Sequence, residues 1–453
     1  MPFWSSMGQR ILRAGKSGAE AVRSTVARRG GERSKNRRSR YVYEEPPAAE
    51  LLNQQAVWAR LEQGEAPAEA LGLSSMVLRT AHVPRISVIV AVYEPVLRYF
   101  EATLISILSQ TYGGYEIVIA DNSLSTGVRE VVNRYRDSRI RYYSVPGNKG
   151  DASLINDAAR IAEGDYVAFA EVGDLLTKDA LYQTALRIFQ TRAEILYSDE
   201  DRSDPHGKRF DSPYRKPDYN KDYLLSCNYM KHFLVIRKEL FLALRFREAY
   251  DGALEYDLLL RAPKSGISHI AKVLYHVTNA SSEARAAGSI PGSSIAAGRS
   301  ALEDYLRVRG IGANVSYSER RGIYRVDYRP GIFACRSDVG IIGGRVLNRS
   351  HKVTGGLMDS TGKVQYAGWD EAEGGPYNLA LTRQNAMAVD IRCMKVRPDL
   401  QSLFEEMTGV PYKDAAFTEM SQEEILQRSL RLCGAVRDLG YLIVWDPAMI
   451  TIC

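Results

Sequence analysis

The stretch from Arg85 to Asp121 constrains this chain most, because it alternates strand, helix and strand and closes on an acidic loop. ISVIVAVY (Ile86 to Tyr93) is a β-branched apolar run, EATLISILSQ (Glu101 to Gln110) has helical spacing, and EIVIAD (Glu116 to Asp121) is a second apolar run ending in a carboxylate. Strands that are apolar throughout and joined by a crossover helix imply a parallel sheet covered on both faces. Ligands of such sheets bind at the carboxyl ends of the strands, here Tyr93-Glu94-Pro95 and Asp121-Asn122-Ser123.

No GxGxxG element follows the first strand, so a dinucleotide has no cradle for its pyrophosphate. YEPVLRYF also lacks the Gly-rich loop with a basic residue that a nucleotidyltransferase would want. A nucleotide can still be held otherwise. An Asp and an Asn at a strand end accept from and donate to a base edge, and a later acidic cluster can hold a divalent metal that bridges phosphates.

The 453 residues suffice for more than one core, and the net charge of +6 is unevenly placed. Residues 1–40 carry eleven Lys or Arg against Glu20 and Glu32, a balance of +9, so the rest of the chain is close to neutral. This arm has two readings: a disordered basic tail, or a helix lying on an anionic membrane surface. Nucleic-acid binding is not expected, since SKNRRSR stands without interleaved aromatics. Five widely spaced cysteines with no CxxC pair argue against a disulfide framework or zinc site. Apolar runs fall short of the ~20 residues that span a bilayer, and the N-terminus lacks a signal peptide's apolar core. The expectation is a cytoplasmic protein, peripheral at the inner face of the plasma membrane if the arm binds there.

Several further blocks follow in order: NKGDASLINDAARIAEGDYVAFAEVGDLL, ILYSDEDRSDPHGKRFDSPYRKPDYNKDYLLSCNYMKHFLVIRK, DGALEYDLLLR and VLYHV. With VPRISVIVAVYEP and SILSQTYGGYEIVIADNSLS they resemble the family 2 glycosyltransferases of bacterial cell-surface polysaccharide synthesis, over roughly residues 84–280. The resemblance implies a GT-A fold, an α/β architecture with a mixed, mainly parallel sheet flanked by helices. It also implies inverting transfer of a sugar from a nucleotide-diphosphate sugar to a glycan or lipid-linked glycan acceptor. The expected organisation is an arm at 1–40, a leader helix or linker at 41–83, the family 2 domain at 84–287, and a linking helix and strand at 288–330. Text at 337–453 resembles the second half of another such domain, giving a smaller C-terminal α/β remnant without a donor half.

Inverting transfer needs charge on the leaving diphosphate, a base for the acceptor hydroxyl, and pockets for nucleotide and acceptor. The resemblance assigns Glu94, Asp121, Asn122, Lys149 and Asn156 to the nucleotide. The family's Asp-x-Asp falls at Glu171-Val172-Gly173-Asp174, where Gly173 replaces one carboxylate; Glu171 and Asp174, with His276 of YHV, remain to hold Mg²⁺ or Mn²⁺. Asp199-Glu200-Asp201 can serve the acceptor side or the metal, or form a solvated turn ahead of DPHGKRF. In DGALEYDLLLR, Glu255 takes the position of the base, and Asp257 is a second catalytic candidate or a brace for the helix. The substitution at Gly173 also leaves open a catalytically degenerate homologue that acts as a scaffold or partner in a polysaccharide assembly complex.

Overall fold

The computed structural model describes residues 41–63, 83–145, 150–204, 206–278, 293–320, 322–412, 417 and 420–453. The basic arm at 1–40 and the expected nucleotide contact Lys149 lie outside these residues. Tyr43–Cys453 form one compact unit.

The apolar runs become the central strands. In chain order these are β1 (Ile86–Val92), β2 (Tyr115–Asp121), β3 (Ile140–Ser144), β4 (Tyr166–Phe169), β5 (Leu175–Leu176), β6 (Ile195–Ser203), β7 (Phe210–Tyr214), β8 (Val235–Arg237) and β9 (Ile267–Thr278). They build a nine-stranded sheet of order 3-2-1-4-8-6-9-5, with β7 paired to β6. Strands β1 to β4 run parallel, β8 is antiparallel to both neighbours, and β6 and β9 are again parallel, so the sheet is mixed. Ile86, Val88, Ile89 and Val90 of β1 are all buried, and helices Leu97–Leu108 and Gly127–Tyr135 supply apolar side chains to one of the cores beside them. Removing each such side chain from water contributes about 1.5–3 kcal/mol before entropy is counted. This is the GT-A-type α/β fold that the sequence implied.

The expected leader helix spans Ala48–Glu62 and packs on this domain through Val57 and Trp58. Trp58 lies 4.2 Å from the Tyr112 ring, and a Cβ on Gly113 would fall 2.0 Å from its indole nitrogen. The glycine is therefore required by close approach.

After helix Ser293–Val308 and the hairpin of β10 (Ala313–Tyr317) and β11 (Tyr324–Tyr328), the chain enters a second sheet. Its strands are β12 (Val339–Leu347), β13 (Val353–Gly355), β15 (Gln384–Ala386), β17 (Met394–Val396) and β18 (Leu442–Ile452), with β14 (Leu357–Met358) and β16 (Ala388–Val389) as a separate small pair. Helices Gln401–Thr408 and Gln422–Asp438 close its core through Phe404, Leu432 and Val436. A polar seam joins it to the first sheet's domain. Asn385 exchanges hydrogen bonds with Asn220 and Asp222, and Arg336 places both terminal nitrogens on Asp222. Among the described residues no helix is long and apolar enough to cross a membrane.

Candidate functional site

Where β4 ends, the chain turns sharply through Glu171-Val172-Gly173-Asp174. Asp174 N donates to Glu171 O, and Gly173 sits at φ 99°, a conformation that L side chains rarely adopt. Thr103 and Thr278 hold this turn, the first accepting from Gly173 N and the second donating to Gly173 O. Asp174 is fully buried. One of its oxygens accepts from Thr278 N at 2.8 Å, while Oδ2 has no hydrogen-bond partner among the described residues. Burial pushes its carboxyl up to about 6, against the opposing pull of His232.

His232 is the residue that sequence reasoning missed. It lies in the loop before β8 at φ 67°, and one ligand atom each from His232, Glu171 and Asp174 come within 4.8 Å of one another. Its Nδ1 is 2.9 Å from Glu200 Oε2, and its ring stacks on Tyr275, whose hydroxyl accepts from Glu171 N. A histidine oriented by a carboxylate through one nitrogen presents the other to a metal. With an orphaned buried oxygen, a half-buried carboxylate and an oriented imidazole, this cluster suits a divalent ion. Lys231 also approaches, with Nζ 3.5 Å from Glu171.

His276 is placed elsewhere. Its Nδ1 lies 2.5 Å from Asp201, and its ring packs edge-on to Tyr43 and against Phe210. The structure therefore ties His276 to Asp201, and His232 takes the position by Glu171 and Asp174 that the resemblance gave to it.

Asp199-Glu200-Asp201 is part of β6 and is buried, so of the readings the sequence left open the solvated turn is not the one that forms. Register shifts against β9 at Asp199 and Glu200 re-aim successive side chains. Each carboxylate meets a different histidine: Asp199 meets His269 Nε2 at 2.8 Å, Glu200 meets His232, and Asp201 meets His276. Burial alone would raise Glu200, but His232 and Lys216, whose Nζ is 2.8 Å away, hold it at about 2. Repulsion along the run is relieved by partners that are remote in sequence.

Glu255 stands in the first turn of helix Leu254–Arg261, half-buried and without a hydrogen bond or ion pair among the described residues. Its charge acts on the buried Tyr275 hydroxyl, more weakly than burial, Asp174 and Glu200 do. Asp257 is buried between Arg247 and Arg261, accepting from both guanidinium groups, an arrangement that suits the brace for the helix rather than the catalytic role, the two readings the sequence offered.

On the nucleotide side, Glu94 is exposed at φ 40° and accepts from Leu124 N, Ser125 N and Ser125 Oγ. The Ser125 hydroxyl and these amides hold its carboxyl below the usual range. Asp121 is buried at the end of β2, accepting from Ser123 N at 2.9 Å and from the Tyr142 hydroxyl at 2.5 Å, and Asn122 N donates to Val92 O. Asn156 is spent on structure: its amide donates to Phe246 O and accepts from Phe246 N, joining helix Asp151–Ile161 to the loop ahead of Glu255.

Residues 87–245 match the family described as Glycosyl transferase family 2. The chain carries a family 2 glycosyltransferase domain. Strand β1 from its second residue, strand β4, the 171–174 turn, the buried carboxylate run and His232 fall within the matched residues. The chain is 32% identical over 292 residues to the O-antigen biosynthesis protein RfbC of Myxococcus xanthus, covering 62% of this chain and 22% of that protein. It is 38% identical over 89 residues to the Escherichia coli UDP-Glc:alpha-D-GlcNAc-diphosphoundecaprenol beta-1,3-glucosyltransferase WfaP, covering 20% of this chain and 35% of that protein. Both matches thus span well under half of the relative's length. The crystal structure of S. aureus TarS 1-349 in complex with UDP aligns with a TM-score of 0.39 at 19% identity, over 49% of this chain and 65% of that one.

Proposed function

We propose that the chain is an inverting glycosyltransferase that moves a sugar from a nucleoside-diphosphate donor to a hydroxyl of a growing cell-surface glycan. The observation that carries this reading is the convergence of Glu171, Asp174 and His232 beneath the carboxyl end of β4, with Glu255 half-buried and unbonded among the described residues in the first turn of helix Leu254–Arg261. The family 2 domain and the polysaccharide roles in the names of RfbC and WfaP support it.

In this reading Glu255 takes the proton of the acceptor hydroxyl as its oxygen attacks the anomeric carbon, and the bond from that carbon to the diphosphate oxygen breaks on the opposite face. When Mg²⁺ or Mn²⁺ is held by Glu171, Asp174 and His232, it supplies positive charge to the departing diphosphate. Glu200 keeps His232 oriented, and Lys231 adds a second positive charge nearby. Glu94 shapes the loop after β2 against which the nucleotide would lie. The C-terminal sheet is read as the remnant of a second such domain, and the arm at 1–40 as a peripheral contact to an anionic membrane face.

One observation favours a second reading. Lys231 already sits against Glu171, and Gly173 removes a carboxylate from the signature, as a degenerate homologue kept for scaffolding would show. Incubation with UDP-, GDP- and dTDP-sugars and a lipid-linked acceptor separates the two. A product of inverted anomeric configuration by NMR supports transfer, a retained configuration contradicts the mechanism, and no product with any donor favours the scaffold.

A further inference from the structure

Strand β7 is weakly held by its own sheet. Among the described residues it pairs with β6 alone, and between Tyr214 and Asp211 it carries one residue more than the Glu200–Arg202 stretch that faces it, with Ser212 at φ 49°. A bulged edge strand of five residues, one of them Pro213, has little ladder to fix its place. The C-terminal part of the chain supplies the fixing. Tyr377 stacks on Tyr214 with ring centroids 3.6 Å apart and planes at 16°, and its hydroxyl donates to Ser212 O at 3.0 Å. Tyr377 and Asn378 both hold positive φ, 53° and 57°, a conformation that non-glycine residues keep only where the surroundings over-determine it.

Strand β7 leads to the metal site. Two residues past its end Lys216 is buried, with Nζ 2.8 Å from Glu200 Oε2 and donating to Lys231 O at 2.6 Å. One ammonium thus holds both the carboxylate that orients His232 and the backbone just ahead of His232, in a loop where His232 and Phe233 also have positive φ. Lys216 N donates to Asp199 Oδ1 at 2.9 Å, and Lys216 Nζ lies 5.9 Å from the centre of the Tyr214 ring. An ammonium on a flexible four-carbon stem goes where its backbone and neighbours put it, and here those are β7 and Tyr214.

We propose that Tyr377 is a positioning residue for the metal site: its stack on Tyr214 holds β7 in the register that sets Lys216 against Glu200 and the His232 loop. The proposal rests on the reading of Glu171, Asp174 and His232 as metal ligands. It makes the C-terminal sheet part of what orders that site, through one ring.

The test uses the full chain with Mn²⁺ alone as the probe. Free Mn²⁺ is read by electron paramagnetic resonance, and the His232 ring nitrogens, assigned by their loss in His232→Gln, are read by ¹⁵N–¹H NMR without metal. In the parent, His232 is expected as one tautomer with its proton on Nδ1, since an ionised carboxylate only accepts. Tyr377→Ala should weaken Mn²⁺ binding about tenfold or more and shift or split the His232 signals, while Tyr377→Phe, which keeps the stack, should stay within about threefold of the parent and keep its signals. If Tyr377→Ala does not fold, Tyr377→Leu, which fills the space without a stacking face, takes its place. Parental Mn²⁺ affinity and parental His232 signals in the Ala or Leu variant, with only the melting temperature lowered, would overturn the proposal and leave Tyr377 a packing contact. A Phe variant as weak as Ala would overturn it as well. Should the parent bind no Mn²⁺, the metal assignment fails, and the metal-free His232 signals still decide the role of Tyr377.

Discussion

Glu200 Oε2 and His232 Nδ1 lie 2.9 Å apart, and this contact decides which histidine serves the site. It fixes one imidazole nitrogen on a carboxylate that stays ionised and leaves the other without that bond, on a ring grouped with Glu171 and Asp174. His276 has its own carboxylate in Asp201.

From this pairing we predict that His232→Ala removes most of the Mn²⁺ dependence of nucleotide binding. His276→Ala should leave that dependence in place and lower stability instead, by about 1–3 kcal/mol, because Asp201 stays buried with a lost partner. Calorimetric titration of UDP with and without Mn²⁺, beside thermal melts, checks both. A metal response lost in His276→Ala and kept in His232→Ala would reverse the assignment.

Asp174 is predicted to trade stability for function. Burial raises its carboxyl from the ordinary carboxylate range to about 6, so between these the folded state holds a proton that the unfolded chain has already released. The sign follows: this group lowers stability as pH rises from about 4 through 6, and the penalty is complete above that. Asp174→Asn should therefore melt a few degrees higher than the parent at pH 8. The gain should vanish near pH 4, and the variant should show no metal response. A lower melting temperature at pH 8 would show that the carboxylate is compensated by a group outside this account.

Glu255 and Asp257, two residues apart on one helix, should respond in opposite ways. Glu255→Gln is expected to keep its melting temperature and nucleotide affinity while turnover falls by something like 10²–10⁴-fold. Asp257→Asn leaves two guanidinium groups short of a buried partner, a loss on the order of 3–5 kcal/mol for an ion pair of this kind and less here, because Arg247 is partly exposed. Turnover per folded molecule should be unchanged. Parental turnover in a stable Glu255→Gln protein would move the base elsewhere.

The strands were the most legible part of the sequence, since Ile86–Val92 and Tyr115–Asp121 are apolar runs whose burial needs no long-range information. The intervening helix starts at Leu97, four residues before the expected periodic stretch, and ends at Leu108. What the sequence hid is pairing across distance. His232 has no periodic signal, and its role comes from Glu200 and from a turn about 60 residues earlier in the chain. The SDED run left a solvated turn open beside its functional readings because three adjacent carboxylates repel in isolation, and only folding brings His269, His232 and His276 to them. Asn156 looked like a ligand contact, but its amide is met at both ends by Phe246, ninety residues away.

In the proposed mechanism Glu171, Asp174 and His232 hold a metal that in turn holds a nucleoside diphosphate. Calorimetry of the full chain with UDP, GDP and dTDP, each with and without Mn²⁺, tests it most directly. At least one nucleotide is expected to bind with an affinity that depends on Mn²⁺; no binding of any of the three, or binding indifferent to metal, would contradict this assignment of the three side chains.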